Sequence, residues 1–375
     1  MKGIYIHIPF CKQKCYYCDF VSFANRECMI EKYINALRKE IKYILKDDDK
    51  IDTIYIGGGT PSVIDSSYIK EILEEIYKKV GQDEKREVTI EINPGTLTKE
   101  KLIDYKESGI NRISIGVQTT NNKLLKSIGR IHDFEQFIDA YEMIKQADFT
   151  NTNIDLMLGL PNQTMKDLEE SLNIITNLEP KHISVYSLIL EDGTKLKELV
   201  EQNTEILPKE ELERKMYWKT KEILENKGYI HYEISNFAKS GFESKHNSNC
   251  WKQQEYYGFG TAAHSYINNM RYSNTQDLEA YIKNIENYEY NKNKEINEIQ
   301  TRESKMEEYM MLKLRMLDGV EIKAFKNKFQ ENPLYVYRER IEKLVKEDLL
   351  EVDGDNIKLT KKGLDFANEV WEEFV

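Results

Sequence analysis

The chain has 375 residues, of which 40% are hydrophobic and 32% are charged, and its formal net charge at pH 7 is −11. This composition excludes a disordered protein and predicts a folded chain of one large domain or two. Lys and Arg are interspersed with Asp and Glu, which disfavours nucleic acid as a partner. No apolar run reaches the roughly 20 residues of a membrane-spanning helix, and no signal peptide is recognisable. We therefore expect a cytoplasmic protein with reduced cysteines.

Short apolar runs and amphipathic stretches alternate from the N-terminus to about residue 230. The apolar runs have the composition of buried parallel strands and cover residues 3–8, 51–56, 87–92, 112–117, 153–158 and 182–188. The helical patterns cover residues 27–45, 67–80, 99–108, 134–146, 165–177 and 209–226. Six β–α units in series predict an α/β fold with a parallel sheet. Because a closed barrel needs eight units, we expect a partial (β/α)6 barrel over residues 1–235.

The alternation stops after this barrel. Residues 236–272 are rich in Gly, Asn and Tyr and are predicted to be irregular, and the polar stretch to residue 299 is predicted to be helical in part. Residues 236–300 are therefore interpreted as a connecting segment. Residues 301–375 are predicted to form a mainly helical C-terminal domain with a hairpin at 350–359. Helices followed by a hairpin fit either a winged-helix-like module or a plain helical cap on the barrel.

Three of the five cysteines form the motif Cys11-x-x-x-Cys15-x-x-Cys18, directly after the first predicted strand. In α/β folds, the carboxyl end of a strand is where functional loops lie. Three thiolates on a short loop can hold three irons of a [4Fe–4S] cluster and leave the fourth iron open. A zinc site with Cys28 or His7 as fourth ligand is the alternative, although the spacing differs from the usual zinc pairs. Otherwise Cys28, at the start of a helical pattern, is expected to be a small buried residue.

Glycines and polar residues follow the later strands. The run GGGTP at residues 57–61 follows the second strand, and its bare glycines allow a ligand to approach the backbone closely. Glu91 and Gln118 end the third and fourth strands, and Asp155 lies within the fifth, where a buried carboxylate requires a reason. Arg130 follows the fourth strand, and a structural salt bridge between Arg130 and Asp155 is an alternative to a role in binding.

The motifs YIHIPFCKQKCYYCDF, GGGTP, EINP, RISIGVQ and NIDLMLGLP together resemble one branch of the radical S-adenosylmethionine (SAM) superfamily. This branch holds the anaerobic coproporphyrinogen III dehydrogenases and the related HemW heme chaperones, and the resemblance covers roughly residues 3–265. It implies a [4Fe–4S] cluster on Cys11, Cys15 and Cys18, with an open iron that binds SAM. It also implies SAM contacts at Tyr5, Gly58, Gly59, Thr60, Glu91, Gln118, Arg130, Asp155 and Ile189.

Three features distinguish a chaperone from a dehydrogenase within this branch. The cysteine motif lies almost at the start of this chain, whereas the dehydrogenases carry a long segment before it. They also carry an extra cysteine where this chain has Phe20. HemW-like proteins carry the motif HNxxYW after the barrel, and this chain has His246-Asn247-Ser248-Asn249-Cys250-Trp251, with Cys250 replacing the Tyr.

The HNxxYW-like motif suggests where heme would bind. His246 is a candidate axial ligand of heme iron, and Trp251 could stack on the macrocycle. The alternative is a surface turn with Trp251 buried against the barrel. The family resemblance further implies heme or a porphyrin as ligand, recipient heme proteins, an electron donor, a homodimer and peripheral contact with a membrane. A radical SAM enzyme acting on tRNA is disfavoured by the acidic composition.

One further glycine pattern, Gly258-x-Gly260-x-x-Ala263, resembles a dinucleotide-binding fingerprint. That fingerprint requires a strand before it and a helix after it, whereas a polar stretch precedes it here. We expect residues 257–266 to pack across the barrel mouth instead, with His264 in a loop.

Overall fold

Seven parallel strands form the centre of a twelve-stranded sheet in the computed structural model, which describes residues 1–203 and 206–375. The strands, in chain order, are β1 (Lys2–Ile8), β2 (Phe10–Cys11), β3 (Phe23–Ala24), β4 (Ile51–Gly58), β5 (Glu87–Ile92), β6 (Arg112–Gln118), β7 (Asn151–Leu158), β8 (His182–Ser187), β9 (Ile230–Glu233), β10 (Asn236–Ala238), β11 (Tyr256–Phe259), β12 (His264–Ile267), β13 (Met270–Asn274), β14 (Lys294–Ile299), β15 (Val320–Glu321), β16 (Leu350–Asp353) and β17 (Asn356–Leu359). The order in the sheet is β14-β13-β12-β11-β1-β4-β5-β6-β7-β8-β10-β9.

Helices connect and cover these strands, and most of them begin after a residue whose side chain caps the first turn. They are α1 (Ile30–Ile44), α2 (Ser66–Val80), α3 (Lys99–Glu107), α4 (Asn122–Ser127), α5 (Phe134–Gln146), α6 (Met165–Asn177), α7 (Lys195–Gln202), α8 (Glu210–Asn226), α9 (Lys245–Trp251), α10 (Leu278–Glu286), α11 (Arg302–Lys313), α12 (Ile322–Phe329), α13 (Pro333–Val336), α14 (Arg338–Lys346), α15 (Lys361–Asp365) and α16 (Ala367–Glu372). Asp133 and Thr164, for example, form capping boxes that satisfy the first N–H groups of α5 and α6.

The predicted α/β fold is confirmed. All six predicted strands and their helices are present within a few residues of the expected bounds. Isoleucines on β1, β4, β5 and β6 are fully buried beneath α1, α2, α3 and α5, which makes one large apolar core. Within the described residues, the two edge strands β14 and β9 do not pair with each other, so the sheet is a partial barrel.

The prediction of an irregular segment after residue 235 was wrong. Strand β11 pairs in parallel with β1, and β12, β13 and β14 continue the same sheet in antiparallel order. These strands have only four to six residues, too few for a clear alternation of polar and apolar side chains. Residues 257–266 thus extend the side of the sheet rather than cross its mouth. The partly helical character expected before residue 299 corresponds to α10.

The C-terminal part has an apolar core of its own, which runs from Met306 to Phe374. Its elements follow in the order α11, β15, α12, α13, α14, β16, β17, α15 and α16, and the three strands form a small sheet in the order β15-β17-β16. The predicted hairpin is formed by β16 and β17. Its pairing with β15 gives the winged-helix-like arrangement rather than a plain helical cap.

Cys28 is exposed, so the prediction that it is a buried residue was wrong. Among the residues that the structure describes, no helix has both the length and the apolar character needed to span a membrane.

The glycine pattern at residues 258–263 serves packing. A Cβ on Gly258 would overlap the backbone carbonyl of His264, and the Gly258 N–H donates to Ser265 Oγ at 2.8 Å. We therefore expect Gly258→Ala to lower the free energy of unfolding by about 1–3 kcal/mol, because the backbone must move to relieve the overlap. Chemical denaturation measures this loss. Gly95→Ala is the control, since its Cβ would meet its nearest neighbours at 3.7 Å; equal stability of the two variants would contradict the close packing.

Candidate functional site at the barrel mouth

A cavity of about 500 Å³ opens at the carboxyl ends of the parallel strands. All strands of a parallel sheet end at the same edge, so the loops that follow them meet there. The cavity collects the residues predicted for cluster and SAM binding, with one exception at Tyr5. Its lining includes Cys11, Cys15, Cys18, Gly58, Gly59, Thr60, Glu91, Gln118, Arg130, Asp155 and Ile189.

The cysteine loop is fixed to the barrel at several points. Cys11 lies on β2, which pairs with β3 and closes the loop on itself. The N–H of Tyr16 donates to the carbonyl of Ile128 at 3.0 Å, and the carbonyl of Tyr16 accepts from Leu196 N at 2.8 Å. At the far end of the loop, the His7 ring contacts the carbonyl of Val21 through Nε2 at 2.8 Å. These contacts give the loop a defined shape.

The thiols are suited to hold iron in a sheltered environment. Burial raises the pKa of Cys11, and it raises the pKa of Cys18 to about 11. Metal coordination would stabilise the thiolates against this cost. Within the described residues, no three Cys, His, Asp or Glu side chains are grouped as ligands of a single metal ion. A [4Fe–4S] cluster takes one thiolate on each of three irons and does not need them to converge on one atom.

The glycine loop lies beside the cysteine loop because β1 and β4 are neighbours. The N–H of Gly59 donates to the Ile8 carbonyl at 2.9 Å, and that of Thr60 donates to the Phe10 carbonyl at 2.8 Å. Gly58 has a φ of +108°, and a Cβ there would lie 2.5 Å from the His7 ring. A Cβ on Gly59 would lie 2.9 Å from the same two carbonyl oxygens. Only glycine allows the backbone to pass this closely beneath the cavity.

Two carboxyl groups line the cavity wall. Glu91 accepts from Tyr55 Oη at 2.7 Å and from Gly58 N at 3.2 Å, and burial raises its pKa to about 7. Asp155 accepts from Asn153 Nδ2 at 2.6 Å, and burial likewise raises its pKa. Both groups would gain from a ligand cation, such as an ammonium or a sulfonium, because it would compensate for the lost hydration.

Arg130 supplies the positive charge of this wall. It donates to the Gly116 carbonyl at 2.6 Å and contacts Cys15 Sγ at 3.7 Å. Among the described residues no ion pair joins Arg130 to Asp155, so the salt-bridge alternative was wrong. The buried Arg130 Nε lacks a partner in the part of the chain that the structure describes. An anionic ligand group could accept from it.

Three predicted residues lie away from the cavity. The Tyr5 phenol bonds to His7 Nδ1 at 3.0 Å and does not line the cavity. His246 lies on α9 at the opposite end of the barrel, where it is only 6% exposed. Trp251, at the end of α9, packs against the Arg315 guanidinium, 4.4 Å from its ring centre. In this arrangement, neither His246 nor Trp251 is presented to a ligand at the mouth, and heme contact through them stays a prediction.

The sequence analysis missed the barrel interior that supports the cavity. Tyr55 lines the cavity and holds Glu91, and Ser114 and Asn153 contact Asp155. Arg112 is 2% exposed and lies among these groups. Alternation within the strands could have found them, since Thr53, Tyr55 and Gly57 share one face of β4, and Arg112, Ser114 and Gly116 share one face of β6.

The raised pKa of Glu91 predicts a pH-dependent penalty to folding. In the unfolded chain, a glutamate titrates near 4.5, whereas in the fold it titrates near 7. The penalty to folding is therefore absent below about pH 4.5, where the carboxyl is neutral in both states, and it grows as the pH rises through about 7. We expect Glu91→Gln, which stays hydrogen-bonded, to stabilise the fold by about 3 kcal/mol at pH 8 but not at pH 4.5. Urea unfolding at both pH values measures this, and an equal effect at both would contradict the burial of the charge.

The chain is similar to known protein families, to curated relatives and to solved structures. The radical SAM superfamily model matches residues 5–175, and the HemN C-terminal domain model matches residues 300–366. The heme chaperone HemW of Lactococcus lactis is 40% identical over 99% of this chain and 96% of that protein. The heme chaperone HemW of Bacillus subtilis is 37% identical over 100% of this chain and 99% of that protein.

Among solved structures, HemN from Escherichia coli, a coproporphyrinogen III oxidase, superposes with a TM-score of 0.86 at 21% identity. The match covers 100% of this chain and 90% of that one, and it supports the fold alone. The sequence identity to the curated relatives extends along almost the whole chain and therefore shows the family as well as the fold. The chain belongs to the HemW family of the radical SAM superfamily.

Proposed function

We propose that this protein is a heme chaperone that holds a [4Fe–4S] cluster on Cys11, Cys15 and Cys18 and binds SAM in the adjoining cavity. It would bind heme and deliver it to heme-dependent proteins. The observation that carries the chaperone role is the similarity to HemW proteins along almost the whole chain. The observation that carries the cofactor assignment is the single cavity shared by the three thiols and the glycine loop.

Membership of the radical SAM superfamily implies SAM and a [4Fe–4S] cluster as cofactors. When bound, such a cluster supplies one electron and an open iron for the amino and carboxylate groups of SAM. The residues of this chain fit these groups. The unpartnered Nε of Arg130 and the backbone of residues 58–60 would hold anionic and polar parts of SAM, and Glu91 and Asp155 would balance its positive charge.

The remaining proposed contacts lie at the rim of the cavity. Gln118 lines the wall next to Arg130, and Ile189 is 66% exposed at the mouth, where it could cover a bound adenosine. Phe20 is 60% exposed at the same mouth, in the place of the extra cysteine that the dehydrogenases carry. The missing thiol favours the chaperone over a coproporphyrinogen III dehydrogenase, which is the second candidate on the shared fold.

The finer aspects of this proposal come from the family. The proposal includes recipient heme proteins, an electron donor, a homodimer and peripheral contact with a membrane. It also places the protein in the cytoplasm, where thiols stay reduced for cluster assembly. Ligation of heme by His246 with stacking on Trp251 is the proposed heme site, and it would require α9 to leave the barrel floor.

The first test supplies anaerobically reconstituted protein either with heme or with coproporphyrinogen III, reductant and SAM. We expect stoichiometric heme binding, measured by titration of the Soret band. We expect no decarboxylated product from coproporphyrinogen III. The Cys15→Ser variant is the control, because loss of one ligand should prevent cluster assembly, measured as iron content. Catalytic turnover of the porphyrinogen would replace the proposed function with that of a dehydrogenase.

The SAM cavity makes a separate prediction at Gly58. Gly58→Val should weaken SAM binding by more than about ten-fold, because a side chain at this φ strains the loop and collides with His7. Iron content should stay near that of the unchanged protein, since no thiol is touched. Calorimetric titration with SAM measures the affinity, and an unaltered value would count against this loop as the SAM site.

A further inference from the structure

The floor of the barrel is closed by one side chain from outside the β–α units. Gly3, Thr53 and Glu87 lie side by side at the amino ends of β1, β4 and β5. Gly3 has no side chain, and the imidazole of His246 occupies the space above it; a Cβ on Gly3 would lie 3.3 Å from His246 Cε1.

Two hydrogen bonds of His246 and a third from the preceding residue fix it in this place. Its Nδ1 bonds to Thr53 Oγ1 at 2.9 Å, and its backbone N–H donates to Glu87 Oε1 at 3.0 Å. The second oxygen of Glu87 accepts from Lys245 N at 3.1 Å, so one carboxylate holds the start of α9. Burial lowers the pKa of His246 to about 4, which keeps the ring neutral and able to pack against its neighbours.

The packing partner of His246 leads directly to the cavity. Its ring stacks on Tyr55 with centroids 5.2 Å apart and planes 29° apart. The Tyr55 phenol donates to Glu91 Oε1 at 2.7 Å, and the other oxygen of Glu91 accepts from Gly58 N at 3.2 Å. A continuous set of contacts thus runs from the barrel floor to the glycine loop.

We propose that His246 is a positioning residue of the SAM site, which acts by holding Tyr55 in the orientation that fixes Glu91 and Gly58. This inference rests on the proposed binding of SAM in the cavity. It gives the histidine of the HNxxYW-like motif a role in SAM binding that is exerted from the opposite end of the barrel, without direct contact with SAM.

The test measures the dissociation constant of SAM by calorimetry on anaerobically reconstituted protein. We expect His246→Ala to weaken SAM binding about three- to ten-fold, the loss expected when one aromatic stack is removed. His246→Phe retains a flat ring against Tyr55 and should restore most of the affinity. Lys245→Ala is the matched control, since Lys245 is exposed on the same helix and its backbone contact to Glu87 is unchanged.

A double-substitution cycle with Tyr55→Phe separates positioning from general loosening of the fold. Tyr55→Phe removes the phenol that holds Glu91, so adding His246→Ala should then weaken SAM binding little further. Fully additive effects on affinity would overturn the proposal, as would wild-type affinity in His246→Ala. If His246→Ala does not fold, His246→Phe and Tyr55→Phe test the proposal instead. Weak SAM binding by a folded His246→Phe protein would contradict a role through the stack on Tyr55.

A parallel heme titration distinguishes this inference from the proposed function. The positioning role does not depend on heme, so SAM affinity measured without heme should fall in His246→Ala whether or not heme affinity falls with it. Loss of heme affinity with intact SAM affinity would make His246 a heme ligand and overturn the positioning role. If the unchanged protein bound no SAM, the proposed function would fail and this inference with it.

Discussion

The parallel pairing of β1 with β4 is the contact on which the candidate site depends. In its register, Ile8 lies opposite Gly58, and the chain continues from these two residues into the cysteine loop and the glycine loop. The pairing carries on past the strands, since Gly59 and Thr60 donate to carbonyls at the start of the cysteine loop. A shift of this register by one residue would separate the thiols from the glycines and place the wrong side chains inside the barrel.

The interior of the barrel beneath the cavity contains charged and polar side chains, which a binding site for a charged ligand requires. Burying Glu91, Asp155 and Arg112 in an apolar core would be costly unless each found hydrogen-bonding partners. Tyr55, Ser114 and Asn153 provide such partners for the two carboxyl groups, and His182 Nδ1 in turn contacts Asn153 Oδ1 at 2.6 Å. These networks hold the cavity wall rigid, so that its charged groups can meet a charged ligand without reorganising.

Helix α9 connects the barrel to the C-terminal part. At its start, His246 fills the barrel floor, and at its end Trp251 packs on Arg315, whose guanidinium lies between the rings of Trp251 and Trp371, 4.4 and 4.5 Å from their centres. Strand β9 contributes a second link, a bridge between Glu233 and Met316. The HNxxYW-like motif thus contacts both parts of the protein, and its seven-residue helix joins the two contacts.

The sequence by itself determined the β–α order, the approximate bounds of β1 and of β4 to β8, and the cysteine and glycine loops that follow β1 and β4. These features are local, because hydrophobic periodicity and strand ends are written in consecutive residues. Only the tertiary structure decided that β11–β14 join the sheet beside β1, and that Tyr5 and His246 lie outside the cavity. Those outcomes depend on pairings between residues about 190 to 250 positions apart, such as Thr53 with His246 and Gly3 with Tyr256, for which no local pattern provides a signal.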